Sequence, residues 1–420
     1  FVVRPPAGGL EREETIMTTV PCWARVRGPL APYAEGFRVE LEGLGHTPLT
    51  AAGHVRLVAH LSRWMLEQDL APSALTQVTV DAYFAERRAL GYVNSVTGRS
   101  LRPLLDYLRR LGVASPVTPA VATTPVEVLL ARYRDYLSVE RGLATTTVEL
   151  NVRLVRPFLL GLARAEGRLD LGRLDADEVT AFVLEQSRRR PGSVGRIVTA
   201  LRSLLGFLQI GGLIEKPLST AVLAVSGWTQ TSLPKGLPDE QVTALLASCD
   251  RGSATGCRDF AILTLLVRLG LRAGEVAALA LSDIHWRHGE ITVRGKGNRC
   301  DRLPLPADVG EAIVDYLRDR RPERAQDRTV FVRAQAPYRA LTSNGVTTVV
   351  VIAGRRAGLG LIGAHRLRHS AATAMLGAGG SLTEIGQVLR HQRLLTTAIY
   401  AKVDHRTLRQ LVRPWPGDAA

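Results

Sequence analysis

Cysteine is scarce in this chain. Four occur in 420 residues, Cys22, Cys249, Cys257 and Cys300, and no two stand in a Cys-x-x-Cys spacing. They read as a reduced, cytosolic set and not as a disulfide frame or a zinc site. No apolar run reaches membrane-spanning length, and no secretory signal stands out. The segment Gly295-Lys296-Gly297-Asn298-Arg299 lacks the longer glycine-bounded run of a phosphate loop, so no nucleotide site is expected. Acidic residues are also in deficit: 39 Asp plus Glu stand against 54 Lys plus Arg, a net charge of +15. That imbalance favours a polyanionic partner, nucleic acid before membrane; an inert basic surface is the plain alternative. Most of the cations are arginine, whose planar fork suits bidentate phosphate contacts.

The length allows several domains with sizeable cores. Residues 1–24 read as a disordered extension, with Met17 just before the first patterned stretch. The first two-fifths look helical and repeated. Leu101-Arg102-Pro103-Leu104-Leu105-Asp106-Tyr107-Leu108 resembles Leu201-Arg202-Ser203-Leu204-Leu205-Gly206-Phe207-Leu208, and Gly112 matches Gly212. Upstream, Val55-Arg56-Leu57-Val58 resembles Val152-Arg153-Leu154-Val155, with Gly45 matching Gly142. These pairs predict two copies of one helical module, 25–115 and 126–215. Leucine spacing alone also resembles itself, but aligned arginine and glycine do not follow from periodicity. The second module carries Arg188, Arg189, Arg190, Arg196 and Arg202 with no acidic residue from 188 to 202. On a helix starting near Ser193 these are candidate DNA contacts, or equally a solvated face.

Residues 216–238 form a linker punctuated by Pro217, Gly227, Pro234, Gly236 and Pro238. A further domain is expected over 239–412, followed by a Pro/Gly-rich tail, 413–420. Its pattern predicts helices from Asp239, over Asp259–Leu269 with a stop at Gly270, and from Gly274 to Leu281. The period then changes to two. Glu290–Arg294 and Asp301–Leu305 predict a hairpin with Lys296 at its tip, Arg299 beside it, and Thr329–Val332 as a third strand. Ser381-Leu382-Thr383-Glu384 is a capping-box signature, and Leu408–Val412 is the last expected helix.

The chemistry-bearing residues gather in this last domain. His365 and Arg368 lie three apart on a predicted helix and share a face, with His369 one turn on. Two histidines at that spacing evoke a zinc-protease helix, but Arg366 stands where its glutamate belongs, and the arginines repel a dication. Donors to two non-bridging phosphate oxygens fit better. His369 reads as a structural hydrogen-bonder. Taken singly, Lys296 is a solvated turn lysine and Tyr400 a half-buried helix tyrosine. Behind two arginines, a lysine and two histidines, Tyr400 instead suggests a nucleophile for a phosphodiester.

Together these segments resemble the tyrosine recombinase (phage integrase) family. Gly270-Leu271-Arg272-Ala273-Gly274-Glu275 looks like its first arginine box. Gly295-Lys296-Gly297 is similar to its lysine hairpin, and His365-Arg366-Leu367-Arg368-His369 to its second arginine box. Leu389-Arg390-His391 and Thr396-Thr397-Ala398-Ile399-Tyr400 resemble the closing boxes. One departure is visible: Arg390 occupies a position where the family usually has glycine, which tightens the turn less well or adds a phosphate contact.

The resemblance implies a mainly α, multidomain fold: two helical SAM-like N-terminal modules, then an α+β catalytic domain with a small antiparallel sheet. It implies cleavage and rejoining of duplex DNA for integration, excision or transposition of a mobile element. Resolution of replicon dimers, a type IB topoisomerase and a catalytically silent DNA-binding protein are the alternatives. Tyr400 is then the nucleophile, Arg272 and Arg368 hold the non-bridging oxygens, and Lys296 is the general acid. His365 supports tyrosine deprotonation, His391 donates to the phosphate, and Glu275 orients the arginine region. No metal or other cofactor is implied. The implied partners are double-stranded recombination sites and further copies of the chain, as a tetramer on two sites. Accessory proteins remain open, no membrane partner is implied, and the expected location is a bacterial-type cytoplasm.

Overall fold

The computed structural model describes residues 23–94, 97–115, 124–163, 169–222, 236–295, 299–391 and 394–403. Two compact units emerge, residues 1–116 together with 233–420, and residues 117–232.

The first unit opens with four helices: α1 (Ala34–Gly43), α2 (Pro48–Glu67), α3 (Gln77–Ala89) and α4 (Gly98–Arg110). Thr47 starts α2 by accepting the Thr50 amide, with Pro48 at the first helical position, where its missing N–H costs nothing. Along α4, Leu101, Leu104, Leu105 and Leu108 are buried at the i, i+3, i+4, i+7 spacing of a core-facing stripe. Each such leucine contributes about 1.5–3 kcal/mol by leaving water. Tyr338, far along the chain, donates from its hydroxyl to the Gly45 carbonyl at 3.3 Å.

The second unit repeats the order with α5 (Pro125–Asp135), α6 (Thr145–Leu162), α7 (Ala176–Arg189) and α8 (Val194–Ile210). Asp175 caps α7 by accepting the amides of Asp177 and Glu178. On α8, Leu201, Leu204, Leu205 and Leu208 are buried at the same spacing as on α4. Gly45 and Gly142 both follow a helix with positive φ (87° and 58°), as do Gly112 and Gly212 (69° and 65°).

The rest of the first unit is α+β. Around α9 (Asp239–Ala247), α10 (Ala254–Leu269) and α11 (Ala273–Ala278) lie α12 (Ala307–Asp319), α13 (Ser343–Arg356) and α14 (Ala364–Gly377). Helix α10 is buried nearly all round, with Ala261 to Leu266 enclosed, and packs against α12 and α14. A three-stranded antiparallel sheet runs in the order β1 (Ile284–His285), β2 (Glu290–Arg294), β3 (Cys300–Pro304), with Ile291 opposite Leu303 and Thr292 opposite Arg302. The expected third strand, Thr329–Val332, is not part of it. That segment makes isolated bridges from Thr329 to Ala280 and from Val332 to Ala340, and its Val330 and Phe331 are spent on the core. The actual third strand, β1, is two residues long, too short for alternation to betray. Helices α15 (Leu382–Val388) and α16 (Leu394–Thr397) and a 3₁₀ turn, Ala398–Val403, complete the described chain. The expected helix Leu408–Val412 lies outside the described residues.

Among the described cysteines, Cys249 and Cys257 are buried and Cys300 is exposed. Burial pushes both enclosed thiols up. No described helix is long and apolar enough to cross a membrane.

Candidate active site

The site begins where α10 stops. Gly270 ends the helix at φ +58°, and a Cβ there would lie 2.6 Å from Leu389 Cδ2. Both the left-handed backbone and this close approach call for glycine. The chain turns sharply and α11 starts with Arg272 as its N-cap. Glu275, at the third position of α11, reaches back. Its Oε2 accepts the Arg272 amide at 2.8 Å, and its Oε1 accepts the Arg272 guanidinium at 2.6 Å. The carboxylate is 5% exposed and the Arg272 side chain 44%, so the guanidinium fork is anchored at one end and open to solvent at the other.

Helix α14 supplies the second wall. Arg368 is 2% exposed, and its guanidinium donates to the Gly270 carbonyl at 2.5 Å and to the Leu389 carbonyl. Burial and the nearby Arg272 bring its pKa down to about 10. It therefore stays charged at neutral pH, held by oxygens from two different turns. His365 and His369 meet edge to face one turn apart, with ring centroids 4.5 Å from each other. Burial first lowers the pKa of each imidazole, helped by Arg368 and Arg272 at His365 and by His365 and Arg368 at His369, so both are neutral at pH 7. This holds even for His365, which is exposed.

The third wall is the end of α15. Ser381 and Glu384 form the expected capping box at its start. At its end the His391 amide donates to the Gly386 carbonyl and the Arg390 amide to the Gln387 carbonyl, both at 2.9 Å. This is a Schellman turn, in which the residue before His391 must be left-handed. Arg390 fills that place at φ +55°, a conformation that costs a residue with a Cβ about 1–2 kcal/mol. Nor does it present a phosphate contact. Its guanidinium is 7% exposed and donates to Glu275 Oε2 at 2.7 Å and to the Val388 carbonyl at 3.0 Å.

The turn aims His391 at the cluster. Its Nδ1 pairs with the Thr397 hydroxyl at 2.7 Å. Burial, Arg368 and Arg272 push its pKa down to about 4, so it too is neutral. The Thr397 hydroxyl is thus engaged by His391. Tyr400 is 2% exposed, in a small core with Ala372, Ile385 and Leu389. Its hydroxyl lies 2.9 Å from His369 Nδ1. Burial raises the phenol pKa, and Arg368 partly offsets that rise.

The fold therefore brings Arg272, His365, Arg368 and His391 into one electrostatic neighbourhood, with Tyr400 joined to it through His369 and Arg368. Lys296 lies outside the described residues. The base of its hairpin is near, since a Cβ on Gly295 would sit 4.0 Å from Glu275 Oε1. Arg299 is exposed at that base, its carbonyl accepting the Gly295 amide at 2.8 Å. The five arginines of the second helical module belong to the other unit. Arg188, Arg189, Arg190, Arg196 and Arg202 are all exposed there. Arg189 pairs with Glu185 at 2.8 Å, and Arg202 donates to the Val222 carbonyl at 2.8 Å. No group of His, Cys, Asp or Glu among the described residues is suited to hold a metal ion.

His369 is the structural hydrogen-bonder that the sequence suggests, with Tyr400 as the partner that no pattern named. Of the two readings of Arg390, the strained φ fits the less tight turn, and the enclosed guanidinium does not fit the phosphate contact. For His369 a signal was present, its spacing one turn after His365. For Arg390, the partner carboxylate stands 115 positions away, beyond the reach of local pattern.

Comparison with known proteins bears on this arrangement. The model of the phage integrase family matches residues 235–406. A provisionally named integrase/recombinase of Sinorhizobium fredii, y4rA, is 38% identical over 397 residues, covering 93% of this chain and 96% of that protein. The tyrosine recombinase XerD of Listeria monocytogenes is 30% identical, over 68% of this chain and 97% of its own length. Among solved structures, XerH bound to a palindromic difH substrate aligns with a TM-score of 0.54 at 19% identity, over 79% of this chain and 94% of that one. A lambda integrase dimer on a COC′ core site aligns at 0.52 and 18%, over 69% and 96%.

Proposed function

Because the chain belongs to the phage integrase family of tyrosine recombinases, we propose that it is a site-specific recombinase. It cuts and rejoins duplex DNA through a 3′-phosphotyrosyl intermediate. The observation that carries this reading is the convergence of two anchored guanidinium groups with neutral histidines and a phenol that one of them already contacts.

In the proposed step, a bond forms between Tyr400 Oη and the scissile phosphorus, and the bond from phosphorus to the 5′ oxygen breaks. The phenol arrives protonated, since burial raises its pKa, so it needs a base. His369 and His365 meet that need because both imidazoles are held neutral. Arg272 and Arg368 stabilise the charge on the non-bridging oxygens. Their fixed anchors mean that little reorganisation is required as that charge develops. His391 donates a further hydrogen bond, and Lys296 protonates the departing 5′ oxygen. The phosphotyrosyl bond keeps the phosphodiester energy, so a partner strand's 5′ hydroxyl rejoins by the reverse path without ATP or metal.

Two double-stranded sites are the substrate, with a tetramer of this chain as the working assembly. We read the biological role as integration, excision or transposition of a mobile element. In support, the relative that matches over nearly the whole chain, first helical module included, is named an integrase/recombinase, whereas the XerD match spans 68%. Residues 25–115 act as a duplicated module that binds DNA beyond the core site or organises the assembly.

A pool of nicked duplexes with randomised cores tests the reading. Wild-type chain should form a detergent-resistant protein–DNA adduct, and Tyr400→Phe should lose it while keeping its affinity. Persistence of the adduct in that variant would overturn Tyr400 as nucleophile. DNA binding without any wild-type adduct would mark a silent DNA-binding protein, and relaxation of supercoils without joining of two partners a type IB topoisomerase.

A further inference from the structure

We propose that Arg390 is a positioning residue for the reaction: through Glu275 it fixes Arg272 and keeps the phosphate-binding face cationic. The proposal rests on the reading of Arg272 as a scissile-phosphate contact.

The backbone supplies the first argument. Position 390 is the left-handed residue of a Schellman turn, and glycine adopts φ +55° without penalty, whereas arginine does not. A strained side chain that stays needs something that repays the strain, and here the guanidinium is buried against a single carboxylate. Glu275 Oε2 accepts from Arg390 at 2.7 Å and from the Arg272 amide at 2.8 Å, while Oε1 accepts from the Arg272 guanidinium at 2.6 Å. Both carboxylate oxygens are thereby occupied, and the group cannot rotate without breaking a charge-assisted bond.

Charge supplies the second argument. Arg272 and Glu275 alone make a neutral pair, and a buried carboxylate beside a phosphate site repels the phosphate. With Arg390 the triad carries a net charge of +1, and the share of Arg272 exposed to solvent keeps its attraction for an anion. The carboxylate's own titration agrees. Burial by itself raises its pKa, but the Arg272 amide, Arg390 and the Arg272 guanidinium together leave it below the ordinary carboxylate range.

Connectivity supplies the third. Three consecutive residues of this turn touch three parts of the site. The Leu389 carbonyl accepts from Arg368, Arg390 holds the carboxylate of Arg272, and His391 meets Thr397 three residues before Tyr400. Position 390 therefore lies between contacts to both arginines and to His391.

The test uses full-length protein and a nicked duplex recovered from the randomised pool by wild-type adduct formation, made also with a methylphosphonate at the scissile position. That neutral group removes the charge the arginines must offset. Arg390→Gly is expected to keep or raise the melting temperature, keep DNA affinity within about 3-fold, and slow adduct formation about 10- to 100-fold. The deficit should shrink several-fold on the methylphosphonate, and Arg390→Lys should recover part of the rate. Wild-type rates in Arg390→Gly, or an equal deficit on both substrates, would overturn the proposal. Arg272→Ala separates the two readings. If it cleaves normally, the assignment of Arg272 is wrong; if it fails while Arg390→Gly cleaves normally, only the role of Arg390 is wrong.

Discussion

Arginine serves two opposite ends in this chain. In the catalytic domain Arg368 and Arg390 are almost wholly enclosed, and carbonyls or a carboxylate hold each guanidinium. In the second helical module, Arg188, Arg189, Arg190, Arg196 and Arg202 lie in solvent, and where a contact fixes them it is a surface ion pair, a serine hydroxyl or a single carbonyl. Burying a guanidinium is costly and worthwhile only where its direction matters. An exposed one keeps its conformational freedom and adapts to whichever phosphate it meets. On the function proposed above, the difference separates charge that performs chemistry from charge that supplies affinity, and each half of that reading can be broken.

The largest effect should come from Arg368→Ala. It removes the guanidinium proposed to contact the phosphate and strands the Gly270 and Leu389 carbonyls. Single-turnover cleavage should fall about 10²–10³-fold, with a loss of about 2–5 kcal/mol in denaturant unfolding. Cleavage near the wild-type rate would end the claim that the buried set does the chemistry.

Acid should come next. His391 is held at about 4 in the folded chain against an ordinary 6.5. The unfolded state therefore binds protons that the folded state refuses, and stability falls as pH drops from 6.5 towards 4. It should be fully present above that window. The loss is at most about 3 kcal/mol, and His391→Asn should flatten the curve of melting temperature against pH. An unchanged curve would mean that neither burial nor the nearby cations press on the histidine.

A smaller change is expected for Gly270→Ala, about 1–3 kcal/mol of unfolding free energy, from the strained φ and the clash with Leu389. Its cleavage rate should fall as well, since the Gly270 carbonyl holds Arg368.

The least effect on the chemistry should follow triple replacement of Arg188, Arg189 and Arg190 by glutamine. The slope of log affinity against log salt should shrink by about 0.9 for each phosphate that the variant no longer neutralises. The rate within the saturated complex should move far less than in Arg368→Ala. An unchanged slope would assign these arginines to a merely solvated face.

Much of the catalytic domain was legible because its signals are local. Gly270 ends a helix by its own conformation, Ser381 and Glu384 cap one across three positions, and the β2–β3 hairpin alternates visibly. Thr329–Val332 misled because β-branched and aromatic residues suit an enclosed irregular segment as well as a strand. What stayed hidden was tertiary. No periodicity joins Arg390 to Glu275 or His369 to Tyr400, for each pair meets only when separate helices pack. The ordered boxes named the cluster's members, but not which carbonyls and carboxylates would hold them still.

Cys300, at the open start of β3, gives the molecule a built-in optical handle. A thiol-reactive dye should find it readily, while Cys249 and Cys257 stay shielded and slow, provided Cys22 is first replaced by serine. The attached fluorophore would then watch the neighbouring lysine hairpin in real time as substrate arrives.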